Sequence, residues 1–371
     1  MSLKPKHNLL RIIIAGGGTG GHIFPAIAVA QAIKKLAPHS AILFVGALGK
    51  MEMEKVPQAG FSIQGITIAG YNRSQVFKNI LLPWKLIKSF FQVNAIFNSF
   101  KPNAVLGVGG YASFPVLKYA QVKNIATYIH ESNAFAGKAN KWLAKNAVKI
   151  FTGTSGMEKY FPSTKILVTG NPIRKNIIEN SYTKETALHF FNLDATKKTI
   201  LIVGGSLGAS SINKAIEKNL RYFFENNIQL IWQTGKPNAA QYMQSSHSYN
   251  NVFVQSFIDN MSAAYTAADV VISRSGAMAV AEICITAKPA VFVPYPFAAE
   301  DHQTFNAMAL VHQNAALIVK DNKVNTDLVP TVMNLLENEK QILEIKNNIK
   351  VFAFSDADVV IAKEILKLIN E

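Results

Sequence analysis

The sequence predicts an α/β protein made of two doubly wound, Rossmann-like halves that face each other across a cleft. Short β-branched runs alternate with stretches of helical periodicity along the chain. A glycine-rich turn follows the first predicted strand of each half, at residues 16–21 and 204–208. The 371 residues exceed a usual single domain. Because Pro172 restricts Asn171 to extended geometry, we place the end of the first domain, 1–172, at this point.

Composition indicates a globular protein with an anionic partner. Hydrophobic residues make up 49% and charged residues 16%, and the formal net charge is +15. Phosphates, nucleic acid and an acidic membrane would all fit that charge. The basic residues are mostly scattered lysines rather than arginines clustered with aromatics, so a nucleic-acid partner is disfavoured. The single cysteine, Cys284, excludes an internal disulfide and lies in an apolar helical pattern typical of a core residue.

The first predicted strand, residues 9–15, leads directly into a glycine turn and a helix. Its apolar run is broken by Arg11, so it does not resemble a signal peptide, and no stretch reaches the ~20 apolar residues of a membrane span. Gly16, Gly18 and Gly21 match the dinucleotide-binding pattern. The next strand, however, ends without the acidic residue that would hold a ribose, so an NAD or FAD site is disfavoured. At the helix start, His22 could be a neutral general base or a simple hydrogen-bonding cap.

The stretch 71–100 alternates basic and large apolar side chains. Apolar residues at helical spacing usually face a core. The pattern breaks at Pro83, however, where a tryptophan stands beside lysines, and an apolar tip ringed by basic residues is typical of an anionic membrane surface. Both interpretations stay open. The candidate membrane contacts are Ile80, Leu81, Leu82, Trp84 and Lys85.

Two further strands of the first half also end in turns suited to a ligand. The strand at 102–108 precedes Gly109-Gly110-Tyr111, and the strand at 126–130 precedes a loop that begins with Glu131. In an open parallel sheet, ligands bind at the carboxyl edge of the strands. We therefore expect the first, fourth and fifth strands to bring these turns together.

The strongest candidate site lies in the second half, at residues 270–306. A buried strand at 270–272 precedes a small-residue turn and a helix predicted over 278–287, whose first amides could bind an anion. Glu282 could reach a sugar hydroxyl from that helix. A second buried strand is predicted from Pro289 on, and a polar loop at 300–303 follows it. This combination predicts a nucleotide-sugar site.

No metal site is predicted. Asp356 and Asp358 form a D-x-D pattern, but their position at a helix start explains them and no other carboxylates are close in sequence. Metal-binding patterns such as HExxH and CxxC are absent from the sequence. Mg²⁺ could still act as an activator.

Seven motifs, in order and in register, resemble those of the MurG family, the peripheral membrane glycosyltransferases of peptidoglycan synthesis. They are GGGTGGHIFPAIAVA, GVGGYASFP, HESNAFAGKAN, TGNPIR, GGSLGA, SRSGAMAVAE and VPYPFAAEDHQTFNA. The resemblance covers nearly the whole chain from residue 11. It implies the glycosyltransferase B fold, with a donor domain over 173–355 and a final helix, 356–371, that packs back on the first domain.

The resemblance also implies roles for individual residues. His22 would be the catalytic base, with Glu131 as a second catalytic candidate. The acceptor, including its diphosphate, would meet the glycine turns of the first domain, at Gly109, Gly110, Tyr111 and Ser113. Phe114 and His302 depart from the family pattern. Of the donor, the uracil would contact the backbone of Ile258, and the ribose would contact Glu282. The phosphates would contact Arg174, Ser206 and the helix start, and the sugar would contact Asn133 and Gln303. The full donor-binding set is Thr19, Gly20, Gly21, Asn133, Arg174, Ser206, Ile258, Ala277, Met278, Ala279, Val280, Ala281, Glu282 and Gln303.

The implied reaction moves N-acetylglucosamine, with inversion, from UDP-N-acetylglucosamine to the C4 hydroxyl of the undecaprenyl-diphosphate-linked muramyl-pentapeptide. The implied location is the cytoplasmic face of the inner membrane, on an anionic lipid surface, with other cell-wall synthesis proteins as possible partners. A UDP-N-acetylglucosamine 2-epimerase or a different lipid glycosyltransferase is the alternative within the same fold.

Overall fold

The computed structural model describes residues 9–70, 80, 82–205 and 207–370, with side chains described up to residue 367. The chain forms two compact units. Unit 1 comprises residues 1–174 together with 356–371, and unit 2 comprises residues 175–355. The division falls after Arg174, two residues beyond the boundary we expected.

Unit 1 contains a seven-stranded, all-parallel sheet in the order β3-β2-β1-β4-β5-β6-β7. Its strands are β1 (Arg11–Ala15), β2 (Ala41–Ala47), β3 (Ser62–Ile66), β4 (Ala104–Gly107), β5 (Ala126–Glu131), β6 (Lys149–Thr152) and β7 (Ile166–Val168). Its helices are α1 (Gly20–Leu36), α2 (Glu52–Gln58), α3 (Leu82–Phe100), α4 (Ser113–Val122), α5 (Lys138–Ala144) and the final α16 (Ala357–Asn370), with 3-10 turns at Met157–Lys159 and Ser163–Lys165. As predicted, β1, β4 and β5 are neighbours.

The two faces of this sheet form separate apolar cores. Alternate residues of β1 point to opposite faces: Ile13 packs with α3, α4 and α5, whereas Ile12 packs with α1. The final helix α16 adds Ile361 and Ile365 to the core around α1. A 2.7 Å ion pair between Lys149 and Glu364 also ties α16 to β6. Helix α16 is thus an integral part of unit 1.

Unit 2 contains a six-stranded parallel sheet in the order β10-β9-β8-β11-β12-β13. Its strands are β8 (Thr199–Val203), β9 (Gln229–Gln233), β10 (Val252–Gln255), β11 (Val270–Ser273), β12 (Ala290–Phe292) and β13 (Leu317–Ile318). Its helices are α6 (Lys175–Ile178), α7 (Lys184–Phe190), α8 (Ser210–Lys218), α9 (Leu220–Glu225), α10 (Ala239–Ser246), α11 (Met261–Ala267), α12 (Ala277–Ile285), α13 (His302–Val311), α14 (Val324–Glu337) and α15 (Glu339–Ile349), with 3-10 turns at Ala299–Asp301, Asp321–Lys323 and Lys350–Phe352. Both sheets have the doubly wound topology that the sequence predicted.

Helix α3 contains residues 82–100 of the stretch 71–100, for which a core face and a membrane contact were both open; residues 71–79 and 81 lie outside the described residues. It begins at Leu82, so Pro83 lies in its first turn, where a missing amide proton costs no hydrogen bond. Val93 and Phe97 are buried in the core, whereas Trp84 and Phe91 are each 72% exposed. The helix therefore has a core face and an exposed apolar face. Within the residues described, no helix combines the length and apolar character that a membrane span requires.

Candidate functional site

The first glycine turn of unit 1 leads into α1 at the carboxyl edge of the sheet. Thr19 is the N-cap residue, and Gly20 and Gly21 are the first residues of the helix. The amides of the turn itself donate hydrogen bonds to other groups of the protein. Gly16 donates to the carbonyl of Val45 at 3.1 Å, and Gly17 donates to the carbonyl of Gly109 at 3.2 Å. The third amide, that of Gly18, donates to the carboxylate of Glu52 at 2.8 Å. The amides of residues 16–18 are thus engaged within the protein, and the expected contact of the glycine turns with the acceptor's diphosphate stays a prediction.

His22 lies in the first turn of α1, against the second glycine turn. A Cβ atom added to Gly109 would lie 2.7 Å from Cε1 of His22, so only glycine allows this approach. Gly110 approaches the first turn equally closely, because an added Cβ would lie 2.2 Å from the carbonyl oxygen of Gly17. Both glycines have positive φ, 94° and 85°. The two turns and His22 therefore form one packed group.

The remaining residues of the second turn differ in how far they can reach a ligand. Tyr111 is 51% exposed, and its ring lies over Gly70. Ser113 is 2% exposed, and its hydroxyl donates to the carbonyls of Ala15 and Gly109 at 2.8 and 2.9 Å. Tyr111 is thus presented at the surface, whereas the Ser113 hydroxyl holds the turn to β1.

Glu131, at the end of β5, organises the third loop of this edge. It is 4% exposed. One carboxylate oxygen accepts from the backbone and side-chain nitrogens of Asn133 at 3.2 and 3.3 Å. The other accepts from Asn140 Nδ2 at 2.8 Å and from the Gly137 amide at 3.1 Å. Four donors thus surround this carboxylate and tie it to Asn133, Gly137 and Asn140, and the catalytic role expected for Glu131 stays a prediction. Beside it, burial lowers the pKa of His130 to about 4, which keeps that imidazole neutral.

In unit 2, helix α12 begins at Ala277, one residue before the predicted start. Its N-cap residue, Gly276, has extended geometry, so the amides of Ala277, Met278 and Ala279 form the helix start. The turn before it is held by α13. Ser275 Oγ donates to the carbonyl of Gln303 at 2.7 Å, and Asn306 Nδ2 donates to the carbonyl of Ser275 at 3.0 Å. Val280 and Ala281 continue the helix away from that start.

Arg274 connects three segments at this edge: the 3-10 turn that begins at Asp321, the residue after β12 and the start of α8. Its guanidinium donates to Asp321 at 2.6 Å, to the carbonyl of Val293 at 3.0 Å and to Ser211 at 3.0 Å. Ser211 in turn donates to the same carboxylate oxygen at 2.6 Å. This network could not be predicted from the sequence, because Asp321 and Ser211 are far from Arg274 along the chain. Arg274 therefore braces the loop that precedes α12.

The expected contacts of unit 2 to the nucleoside, Ile258 and Glu282, and to the sugar, Gln303, lie on the same edge of its sheet. Glu282 is 7% exposed and accepts a hydrogen bond from Tyr265 at 3.2 Å. The backbone amide of Ile258 donates to Gln233 Oε1 at 3.0 Å, so a uracil contact at Ile258 would use the carbonyl oxygen. Gln303 accepts from the Tyr295 amide at 3.0 Å and is held beside the loop.

The remaining predicted contacts to the donor and the membrane stand at other positions along the chain than the loops described above. Ser206 and Leu81 lie outside the described residues, and Arg174 is half-buried at the end of the main segment of unit 1. Ile80 is 71% exposed, whereas Leu82 and Lys85 are half-buried. The part of the chain that the structure describes contains no group of three or more His, Cys, Asp or Glu placed to hold a metal ion.

Phe114 and His302, which depart from the family pattern, both contact other residues of the protein. Phe114 stacks on Trp142 of α5, with ring centroids 5.2 Å apart, and the ammonium of Lys118 lies 4.5 Å from the Trp142 ring. His302 turns back on its own loop, where Nδ1 lies 2.7 Å from the carbonyl of Ala299. Phe114 thus packs against α5, next to the second glycine turn.

Comparisons with known proteins agree with this architecture. The glycosyltransferase family 28 N-terminal domain matches residues 12–152, and the family's C-terminal domain matches residues 199–361. The UDP-N-acetylglucosamine--N-acetylmuramyl-(pentapeptide) pyrophosphoryl-undecaprenol N-acetylglucosamine transferase of Bacteroides fragilis is 46% identical, over 98% of this chain and 96% of the relative. The enzyme of the same description from Bacteroides thetaiotaomicron is 47% identical, over 97% and 98%.

Solved structures agree as well. The crystal structure of Acinetobacter baumannii MurG has a TM-score of 0.79 at 27% identity, covering 96% of this chain and 99% of that one. A UDP-GlcNAc 2-epimerase from Neisseria meningitidis has a TM-score of 0.66 at 14% identity, over 96% and 100%, which is a likeness of fold alone. The chain belongs to glycosyltransferase family 28, has the glycosyltransferase B fold, and is a member of the MurG family.

Proposed function

We propose that this enzyme transfers N-acetylglucosamine from UDP-N-acetylglucosamine to the undecaprenyl-diphosphate-linked muramyl-pentapeptide. The single observation that carries the proposal is the 46% identity, over almost the full length of both chains, to relatives named for that reaction. The seven motifs of the sequence lie on the carboxyl edges of two parallel sheets, where α/β proteins bind nucleotides.

The donor half of the proposed site is in unit 2. The leaving diphosphate would bind at the start of α12, where amides that have no partner within the helix point outward and the helix dipole favours negative charge. Such fixed dipoles stabilise the charge that develops on the leaving group. The bracing of the preceding turn by Arg274, Gln303 and Asn306 supports this proposal, since it holds those amides in position before the ligand arrives. Glu282 would bind the ribose and the Ile258 carbonyl the uracil.

The acceptor half is in unit 1. His22 would remove the proton from the C4 hydroxyl as the new bond forms, a contribution of typically ~100- to 10,000-fold. We assign Glu131 to the orientation of Asn133, which would contact the sugar, because four hydrogen bonds occupy its carboxylate. Gly110 and Tyr111 would face the acceptor.

The acceptor's lipid implies a membrane surface, and α3 is the proposed contact. Trp84, Ile87 and Phe91 recur at helical spacing on one face and are 72%, 49% and 72% exposed. Lys85 and Lys88 lie on the same helix, and their charge would favour anionic headgroups. This surface would place the enzyme on the cytoplasmic side of the inner membrane. Contacts with other cell-wall synthesis proteins stay a prediction.

The proposal is tested by transfer of labelled N-acetylglucosamine from UDP-N-acetylglucosamine to a short-chain analogue of the lipid-linked muramyl acceptor. We expect one labelled disaccharide-lipid product and one UDP per turnover. The same reaction without acceptor is the control. Release of UDP together with a 2-epimer in that control would identify an epimerase, and no product in either reaction would refute the proposal.

A further inference from the structure

A buried carboxylate lies beneath the first glycine turn of unit 1. Glu52, the first residue of α2, is 1% exposed. Its Oε1 accepts from the backbone amide of Ala47 at 2.9 Å, and its Oε2 accepts from that of Gly18 at 2.8 Å. A buried carboxylate must be compensated by strong hydrogen bonds, and backbone amides supply one for each oxygen.

Two glycines leave the space that this side chain occupies. A Cβ atom added to Gly17 would lie 2.3 Å from Cδ of Glu52, and one added to Gly46 would lie 2.4 Å from its Cγ. Both approaches are far closer than van der Waals contact. The turn after β1 and the end of β2 are therefore shaped around the Glu52 carboxylate.

The position of this carboxylate has a chemical meaning. In dinucleotide-binding folds, the amides of the turn after the first strand bind a phosphate of the ligand. Here the carboxylate of the chain itself binds such an amide, that of Gly18. We propose that Glu52 is an internal anion that takes the place of a substrate phosphate at the first glycine turn and so holds the turn in its catalytic position.

The position of the first glycine turn, which Glu52 holds, affects the position of His22 through two contacts. The Gly17 amide donates to the carbonyl of Gly109, and the Gly109 backbone lies directly against the His22 ring. A shift of the first turn would therefore move the second turn and the imidazole with it. Glu52 is thus a positioning residue for the acceptor side of the reaction, an inference that rests on the proposed function. It also implies that the acceptor's diphosphate binds away from residues 16–18.

The first test compares Glu52→Gln with the matched control Glu54→Gln. Glu54 has the same side chain two residues later, but it is exposed on the surface of α2. For Glu52→Gln we expect kcat to fall about 10- to 100-fold, because small displacements of reacting groups have effects of that size. The acceptor KM should rise, whereas the affinity for UDP, measured by calorimetry, should stay within about twofold, since the proposed contacts to the uracil and the ribose, and the helix start proposed to bind the diphosphate, lie in unit 2. Glu54→Gln should match the wild type.

A wild-type kcat in Glu52→Gln, or an equal loss of UDP affinity and turnover, would overturn the inference. Glu52→Asp keeps the charge but shortens the side chain, so its kcat should lie between those of Glu52→Gln and the wild type. If the wild type and Glu54→Gln show no transfer, the proposed function fails instead. In that case the second test still applies, because it needs no turnover.

The second test uses formate as a small substitute for the missing carboxylate. Glu52→Ala leaves the amides of Gly18 and Ala47 without their acceptor. Formate should raise the melting temperature of this variant more than that of the wild type, with chloride at equal ionic strength as the control. Where transfer is measurable, formate should also restore part of kcat. An equal formate response in both proteins would contradict the role of Glu52 as an internal anion.

Discussion

Replacement of Glu131 by glutamine separates a positioning role from a proton-transfer role. The variant keeps the shape of the side chain but turns one carboxylate oxygen into an NH₂ group, which donates rather than accepts. Four donors surround the carboxylate, at 2.8, 3.1, 3.2 and 3.3 Å. We expect the amide oxygen to keep the two shorter bonds, from Asn140 and Gly137. The new NH₂ group would then face the two nitrogens of Asn133.

The expected cost follows from the bonds that are lost. A hydrogen bond to a charged group contributes about 1.5–3 kcal/mol, and two are removed. Burial of a neutral amide is less costly than burial of a carboxylate, which offsets part of this loss. The net destabilisation of unit 1 should be about 3 kcal/mol, or roughly 6–12 °C in the melting temperature of a unit of this size.

Differential scanning calorimetry measures this shift, and Glu158→Gln is the control. Glu158 is exposed, so its replacement should change stability by less than about 0.5 kcal/mol. The transfer rate is measured on the same samples. A melting temperature equal to that of the wild type, together with abolished turnover, would refute the positioning role and identify Glu131 as a catalytic acid or base.

Four further predictions concern other parts of the chain. His22→Ala should lower turnover by about 100- to 10,000-fold without weakening UDP binding; an unchanged rate would remove His22 from the mechanism. Burial lowers the pKa of His130 from its ordinary value of 6.5 to about 4 in the folded state, so the unfolded chain binds this proton more tightly between these two pH values. Stability should therefore be complete above about pH 6.5 and fall by about 3 kcal/mol as the pH drops to 4, and His130→Asn should remove that slope in urea titrations at several pH values. Ala287 has φ of 48°, so Ala287→Gly should raise stability by about 1 kcal/mol in thermal melts, and a lower melting temperature would contradict strain there. Trp84→Ser with Phe91→Ser should reduce sedimentation with anionic vesicles at an unchanged melting temperature, whereas unfolding would show that this face is core.

The bounds of the strand and helix that lead into the proposed donor site were predicted from local sequence pattern to within about two residues. The strand before the donor helix was expected at 270–272 and is Val270–Ser273. The helix was expected at 278–287 and is Ala277–Ile285. Both follow from a β-branched run, a small-residue turn and an apolar helical pattern within about 20 residues. Pro289 was expected to begin a longer strand, but β12 is only Ala290–Phe292, and the carbonyls of Val293 and Pro294 just beyond it accept hydrogen bonds from Arg274.

The contacts that define the site could not be predicted in the same way. Glu52 lies 34 residues from Gly18, and Gln233 lies 25 residues from the Ile258 amide that it holds. Sequence pattern shows which residues stand at strand ends, but not which side chains turn back onto a neighbouring loop. Ser113 illustrates the limit: it stands in a glycine turn suited to a ligand, yet its hydroxyl binds the end of β1. A buried partner and a ligand contact have the same signature in the sequence.

The membership of α16 in unit 1 has a consequence for biosynthesis. Unit 2 is inserted between the main segment of unit 1 and its last helix, so the ribosome completes residues 175–355 before it releases Ile361 and Ile365. Until then, the apolar surface of α1 that these side chains cover stays open to solvent or to a chaperone. We expect the inserted unit to be able to complete its folding on the nascent chain while the unit that was begun first still waits for its closing helix.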